Sequence, residues 1–231
     1  RLLASPHLIA WYAQNLVTSN VSKAAPSRAA AAKATKEKLH AIPVGLPIHY
    51  GFEGSPHSAH TVERMLHIRQ QRSLIPFERK LDTILFDVGT LGEVGKPRYQ
   101  ARHHAYDILS RCSTRKGGRI DLMPRTDTVT TWMRHYSTHQ FAIVVRGTGW
   151  DTYRTWEYLL YGTVPILLKN SPIAQELHLP AHVPVVLVDQ WEDVCAWTDD
   201  FYRQLARRYK DWIAKAHYWL RPSLWVPRNQ T

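Results

Sequence analysis

From about residue 80 the chain alternates between short apolar runs and longer stretches whose apolar residues recur every three or four positions. "TILFDV" (83–88), "GRIDLM" (118–123), "FAIVV" (141–145), "TVPILL" (163–168) and "VPVVLV" (183–188) read as five strands. Between them the pattern predicts a helix over roughly 98–112, with Ala101, Ala105, Ile108, Leu109 and Cys112 on one stripe. Shorter helices are expected in "DTVTTWMRHYS", through Val129, Trp132, Met133 and Tyr136, in "DTYRTWEYLLY" and in "SPIAQEL". A closing amphipathic helix runs through Phe201, Leu205, Tyr209, Trp212 and Ile213. Strands that are apolar throughout and separated by helices imply a parallel sheet covered on both faces. The expectation is therefore an α/β, Rossmann-like domain over residues 80–215.

The first 79 residues follow a different rhythm. "HLIAWYAQN" (7–15) has strand-like content. "SKAAPSRAAAAKATKEKLH" (22–40) reads as an exposed helix or a low-complexity loop, with Pro26 barring a helix core at its start. "AIPVGLPIHYG" reads as a connection, and residues 56–72 as a basic helix through Val62, Met65, Leu66 and Arg69. These elements are too few for a second complete domain. Residues 1–79 are expected to be the end of a preceding domain and its connection, and 216–231 a tail. The start at Arg1 rather than Met fits a piece of a longer protein.

Composition changes this picture little. A hydrophobic share of 44%, with nine Trp and eleven Tyr, is ample for a packed core. The formal charge of +11 suits a nucleic acid, an acidic polymer or a small anion. Its Lys and Arg are scattered, however, and no RRM, KH or helix-turn-helix signature accompanies them. No run of eighteen apolar residues exists. Cys112 and Cys195 could pair, but spacing alone does not say so. No CxxC and no HExxH pattern occurs, so no metal site is expected. The sequons at Asn20 and Asn229 give slight support to a secretory lumen.

The candidate chemistry lies in "FAIVVRGTGWDTYRTWEYLLYGTVPILL" (141–168). In open α/β sheets ligands sit at the carboxyl ends of the strands, and "RGTGW" falls at such an end, directly before a helix. Gly147 and Gly149 would let backbone N–H groups approach a phosphate, the helix N-terminus adds positive potential, and Asp151 is a candidate N-cap. Arg154, Glu157 and Tyr161 fall at i, i+3 and i+7 on one face, beside a packing stripe of Tyr153, Trp156 and Leu160. Two readings stand side by side. Arg154 and Glu157 could be a surface ion pair worth about 0.3–0.5 kcal/mol. Alternatively, Arg154 meets a diphosphate and Glu157 accepts the ribose hydroxyls of a nucleotide.

This segment resembles the exostosin-type glycosyltransferase pattern, a strand, R-G, a short Gly/polar turn, R-x-x-E-x-L and a proline-containing strand. The matching residues are Arg146, Gly147, Arg154, Glu157, Leu159, Gly162 and Pro165. "VPVVLVDQWEDV" and "HAIPVGLP" add to the likeness, which spans roughly residues 7–215 and is sharpest over 140–195. The resemblance implies the C-terminal half of a two-domain GT-B fold. It further implies an inverting, metal-independent transferase that takes a sugar from a nucleotide-sugar donor, foremost a UDP-sugar, to a glycan or glycoprotein acceptor. No cofactor beyond the donor and no nucleic-acid partner is implied. Such enzymes act in the Golgi lumen as type II membrane proteins, the anchor here lying outside the segment. Glu157 would bind the donor ribose and Arg154 the diphosphate, with Arg98 or Arg102 neutralising the leaving group. No catalytic base is assigned, His7, His49 and Asp87 being positional possibilities only. A polyanion-binding module and a non-catalytic member of the same family are the alternatives.

Overall fold

The computed structural model describes residues 11–14, 39–42, 75–87, 91, 95–114, 118–123, 129–147, 151–171, 174–175, 179 and 183–214. Strands β1 (Trp11–Gln14) and β2 (Leu39–Ile42) pair in parallel, with Trp11 opposite Leu39. β1 lies where a strand was expected. β2 instead crosses the junction between the Ala/Lys-rich stretch and the Pro/Gly-rich connection, a site that composition alone marked as irregular. The expected 56–72 helix and the 216–231 tail lie outside the described residues, as do His7 and His49.

The main body is a five-stranded, all-parallel sheet in the order β4-β3-β5-β6-β7. Its strands are β3 (Leu81–Phe86), β4 (Ile120–Leu122), β5 (His139–Ile143), β6 (Val164–Leu168) and β7 (Val186–Val188). Its fully described α-helices are α1 (Pro97–Ser113), α2 (Val129–Thr138), α3 (Tyr153–Leu160), α4 (Trp191–Cys195) and α5 (Asp199–Ala214). The expected α/β, Rossmann-like parallel sheet is thus present. All five strands lie where the apolar runs placed them, although β3 stops at Phe86 and leaves Asp87 just beyond its end.

The chain leaves β3 for β4 on one side and then returns to place β5 on the other. With right-handed crossovers, that reversal sends α1 to one face of the sheet and α2 and α3 to the other. The contacts agree, since α1 meets α4 and α2 meets α3. A disulfide joins Cys112 of α1 to Cys195 of α4, with Cα atoms 5.6 Å apart, which settles the pairing that spacing left open.

Phe141, at the centre of β5, is fully buried. Phe77, Tyr202, Tyr209 and Trp197 meet its ring edge-on at 5.2–6.5 Å, the arrangement that the ring quadrupole favours. The Phe77–Arg79 turn therefore packs into the same core, and Gln140 Nε2 donates to the Phe77 carbonyl. On α1 the expected stripe is inside, with Ala105, Ile108, Leu109 and Cys112 all buried. On α5 the stripe is rotated from the expectation. Tyr202, Leu205, Tyr209 and Ile213 are buried, whereas Phe201 is 43% exposed. Steps of three and four from Tyr202 hold one helix face, and Phe201 stands about 100° away from it.

Candidate functional site

The reversal of strand order makes the β3/β5 boundary the topological switch point, where open α/β sheets form a crevice beyond the strand ends. Asp87 emerges there from β3, and Arg146 and Gly147 from β5. Helix α3 begins shortly afterwards. It is not the amphipathic helix that its sequence suggested, because Thr155 through Leu160 are all buried. Glu157 is consequently drawn inside the protein, and Arg154, at the start of the helix, is partly buried, with 22% of its side chain exposed.

Arg154 Nε donates to Asp87 Oδ2 at 3.0 Å, the ion pair joining residues 67 positions apart. The Tyr136 hydroxyl, from α2, donates to the same carboxylate oxygen and lies 3.4 Å from Arg154 Nε. Tyr136 also packs edge-on against Tyr158, with ring centroids 4.5 Å apart. The surface ion-pair reading of Arg154 and Glu157 is therefore replaced. Arg154 pairs with Asp87, and Glu157 is 3% exposed, its Oε1 buried without a hydrogen-bond partner among the described residues. Burial pushes the Glu157 carboxyl up to about 7, against the lowering pull of Arg154, while Asp87 adds to the rise. Burial lowers the Arg154 guanidinium, but Asp87 and the surrounding groups more than reverse this.

Arg102, on α1, completes the cluster. Its guanidinium lies over Gly147, where an added Cβ would stand 2.9 Å from Nη2. Burial lowers its pKa, the neighbouring Arg154 lowers it further, and Asp87 opposes both. Arg102 and Arg154 thus sit close enough to sense one another across a single shared carboxylate. Two guanidiniums facing Asp87 and a carboxyl poised near neutrality leave the crevice with a positive bias.

The remaining expected residues fall as follows. Arg98 lies on the first turn of α1, four positions before Arg102. Arg146 is half-buried at the exit of β5, and Gly149 lies outside the described residues. Asp151 is not the helix cap. Thr152 holds that position without a side-chain cap bond, and its hydroxyl is buried without a partner among the described residues. The Asp151 carboxylate instead accepts the Trp156 indole N–H at 3.1 and 3.2 Å, tying the loop to the helix it precedes.

In the sequence Asp87 is only a positional candidate for a base, and nothing there marks Tyr136 or Tyr158 as part of a site. One signal was available for Asp87, a carboxylate closing an otherwise apolar strand at its carboxyl end. Among the described residues no group of three or more His, Cys, Asp or Glu side chains gathers as a metal site would. No described helix is long and apolar enough to cross a membrane.

A parallel α/β domain with a buried charged cluster at its switch point is the class that fold and site define. No protein-family model and no curated protein matches the chain.

Proposed function

We propose that this chain is the donor-binding half of an inverting, metal-independent GT-B glycosyltransferase of the exostosin type. It would hold a nucleotide sugar, foremost a UDP-sugar, for transfer to a glycan or glycoprotein acceptor. One observation carries the reading: a buried carboxyl oxygen of Glu157 with no hydrogen-bond partner among the described residues, near the Arg154–Asp87 pair, with the Arg102 guanidinium over Gly147 close by. A ribose diol supplies hydroxyl donors to such an acceptor, and a diphosphate supplies charge to such cations. The R-G and R-x-x-E-x-L pattern over 146–165 supports the same assignment.

Glycosyl transfer develops negative charge on the departing nucleoside diphosphate. Fixed cations stabilise that charge without having to reorganise at the moment of reaction. Arg102, with Arg146 at the exit of β5, would fill this role, Arg98 being a further candidate by its place one turn earlier on α1. Asp87 is a poor general base, because Arg154 and Tyr136 both engage its carboxylate. The base for the acceptor hydroxyl is therefore sought outside this cluster. The Cys112–Cys195 bond supports maturation in an oxidising compartment, in keeping with a Golgi lumen.

Thermal unfolding with UDP, GDP and their sugars tests the reading. At about 100-fold excess over Kd a true ligand adds about 2.7 kcal/mol of apparent stability. Stabilisation by a nucleoside diphosphate that Glu157→Ala abolishes is the expected result. Equal stabilisation of wild type and Glu157→Ala would remove Glu157 from the site. Stabilisation only by polyanions such as RNA, steeply lost with salt, would replace the transferase reading with a polyanion-binding one.

A further inference from the structure

Glu157 and Arg154 stand one helical turn apart on α3, the spacing at which a carboxylate and a guanidinium normally pair. Here they do not, because a second carboxylate arrives from another element. Asp87, just beyond β3, takes Arg154 Nε at 3.0 Å and the Tyr136 hydroxyl on the same oxygen. We propose that Asp87 is the positioning residue of this site: by holding Arg154 it leaves Glu157 Oε1 as an acceptor with no partner among the described residues, and the state of that carboxyl gates nucleotide binding. The gating half rests on the donor-site reading above, whereas the positioning half rests on the geometry alone.

The physical cause is competition for the Arg154 guanidinium. Two carboxyl groups that share a single guanidinium in a buried site cannot both be compensated, so the one with better partners keeps the charge. Asp87 accepts from at least two donors, one of them cationic, while Glu157 Oε1 has none among the described residues. Every other group bearing on Glu157 leaves that imbalance in place. Tyr158 on its own helix and Tyr136 on α2 are neutral phenols that burial holds protonated. Arg102 of α1 acts on Arg154 and Asp87. Glu157 accordingly keeps its proton up to about pH 7, its charged form disfavoured first by burial and then by Asp87. A protonated Glu157 offers a ribose diol one acceptor fewer and an unwanted donor, so nucleotide affinity falls as the pH drops through this range.

The test follows the Glu157 carboxyl by carbon-13 NMR in the full 231-residue chain, as wild type and as Asp87→Asn, alongside UDP titrations from pH 5 to 8. Asparagine keeps the shape but gives up the charge, releasing Arg154 to Glu157. The expected result is a Glu157 midpoint near neutrality in the wild type and about one pH unit or more lower in Asp87→Asn. The acid limb of UDP affinity should move with it. An unmoved midpoint in Asp87→Asn overturns the proposal. Should that variant fail to fold, the wild type decides by itself, since a midpoint in the ordinary glutamate range overturns the proposal too. A midpoint that shifts in a protein binding no nucleotide at any pH upholds the positioning by Asp87. That result overturns the gating together with the donor-site reading.

Discussion

Gly147 shows how much of the site depends on one missing methyl group. Its place in the R-G pair made it a candidate for close approach by a phosphate, but in the structure its neighbour is a side chain. A Cβ at this position would press on Arg102 Nη2 at 2.9 Å, the far end of a flexible residue. The guanidinium, rather than the backbone, would move. Gly147→Ala should therefore cost no more than about 1 kcal/mol of stability. If Arg102 meets the diphosphate, the same change should weaken UDP binding about tenfold by calorimetry, with Arg102→Ala weakening it at least as much. Undiminished affinity in both variants would show that the cation above Gly147 is not used. At this scale the sequence names the pieces but not the pairs. Arg146, Gly147, Arg154 and Glu157 are visible as a motif on one strand–helix unit. The partner that decides their chemistry, Asp87, lies 67 positions before Arg154, and only the β3–β5 register brings it there.

Periodicity located the strands and helices well, because apolar runs and stripes are direct consequences of which faces are covered. It misjudged elements whose surroundings break the simple rule. Helix α3 looks two-faced because it carries Arg and Glu, yet Thr155 through Leu160 are all buried, Arg154 is paired with Asp87, and Glu157 Oε1 is left without a partner among the described residues. On α5, Phe201 and Tyr202 offered two stripes one residue apart. The stripe with Tyr202 prevails, with its ring against Phe141 and the Arg119 guanidinium 4.6 Å from its centroid. The pairing of α1 with α4 was invisible because it depends on which face each crossover takes. Its disulfide closes a separation of 83 residues, for which chain entropy predicts about 4.5 kcal/mol, measured losses for such bonds being typically about 2–4 kcal/mol. Cys112→Ser with Cys195→Ser should lower stability by that amount in urea melts. Reductant should lower the wild type similarly and leave the double variant unchanged. A wild type insensitive to reductant, with two titratable thiols, would show that the bond does not form.

Across the whole molecule, α3 is fastened to both ends of β3 by buried ionisable groups. At the carboxyl end Arg154 reaches Asp87. At the amino end Lys80, 6% exposed, donates to the Tyr161 carbonyl at 2.7 Å and to Thr163 Oγ1 at 3.0 Å, just past the end of α3. Among the described residues no carboxylate is an acceptor of Lys80, and burial pushes it down to about 7. Lys80 and Glu157 give opposite pH slopes to stability. The folded state binds fewer protons at Lys80 than the unfolded state between about pH 7 and 10.5, so this contribution is full above that window and falls as the pH drops through it. At Glu157 the folded state binds more protons between about 4.5 and 7, so that contribution is full below the window and is lost as the pH rises through it. Each slope is limited to about 1.4 kcal/mol per pH unit. Together the two groups place a trough in stability near pH 7, with one wall assigned to each. Lys80→Met should flatten the alkaline wall and leave the acid wall, while Glu157→Gln should do the reverse, read as urea midpoints at half-unit intervals from pH 4.5 to 10. Walls that both survive both substitutions would mean that the two ends of β3 are not where the protein holds its costly charges. Walls that vanish one by one would show that the same burial that pins α3 also makes it the pH-sensitive element of the fold.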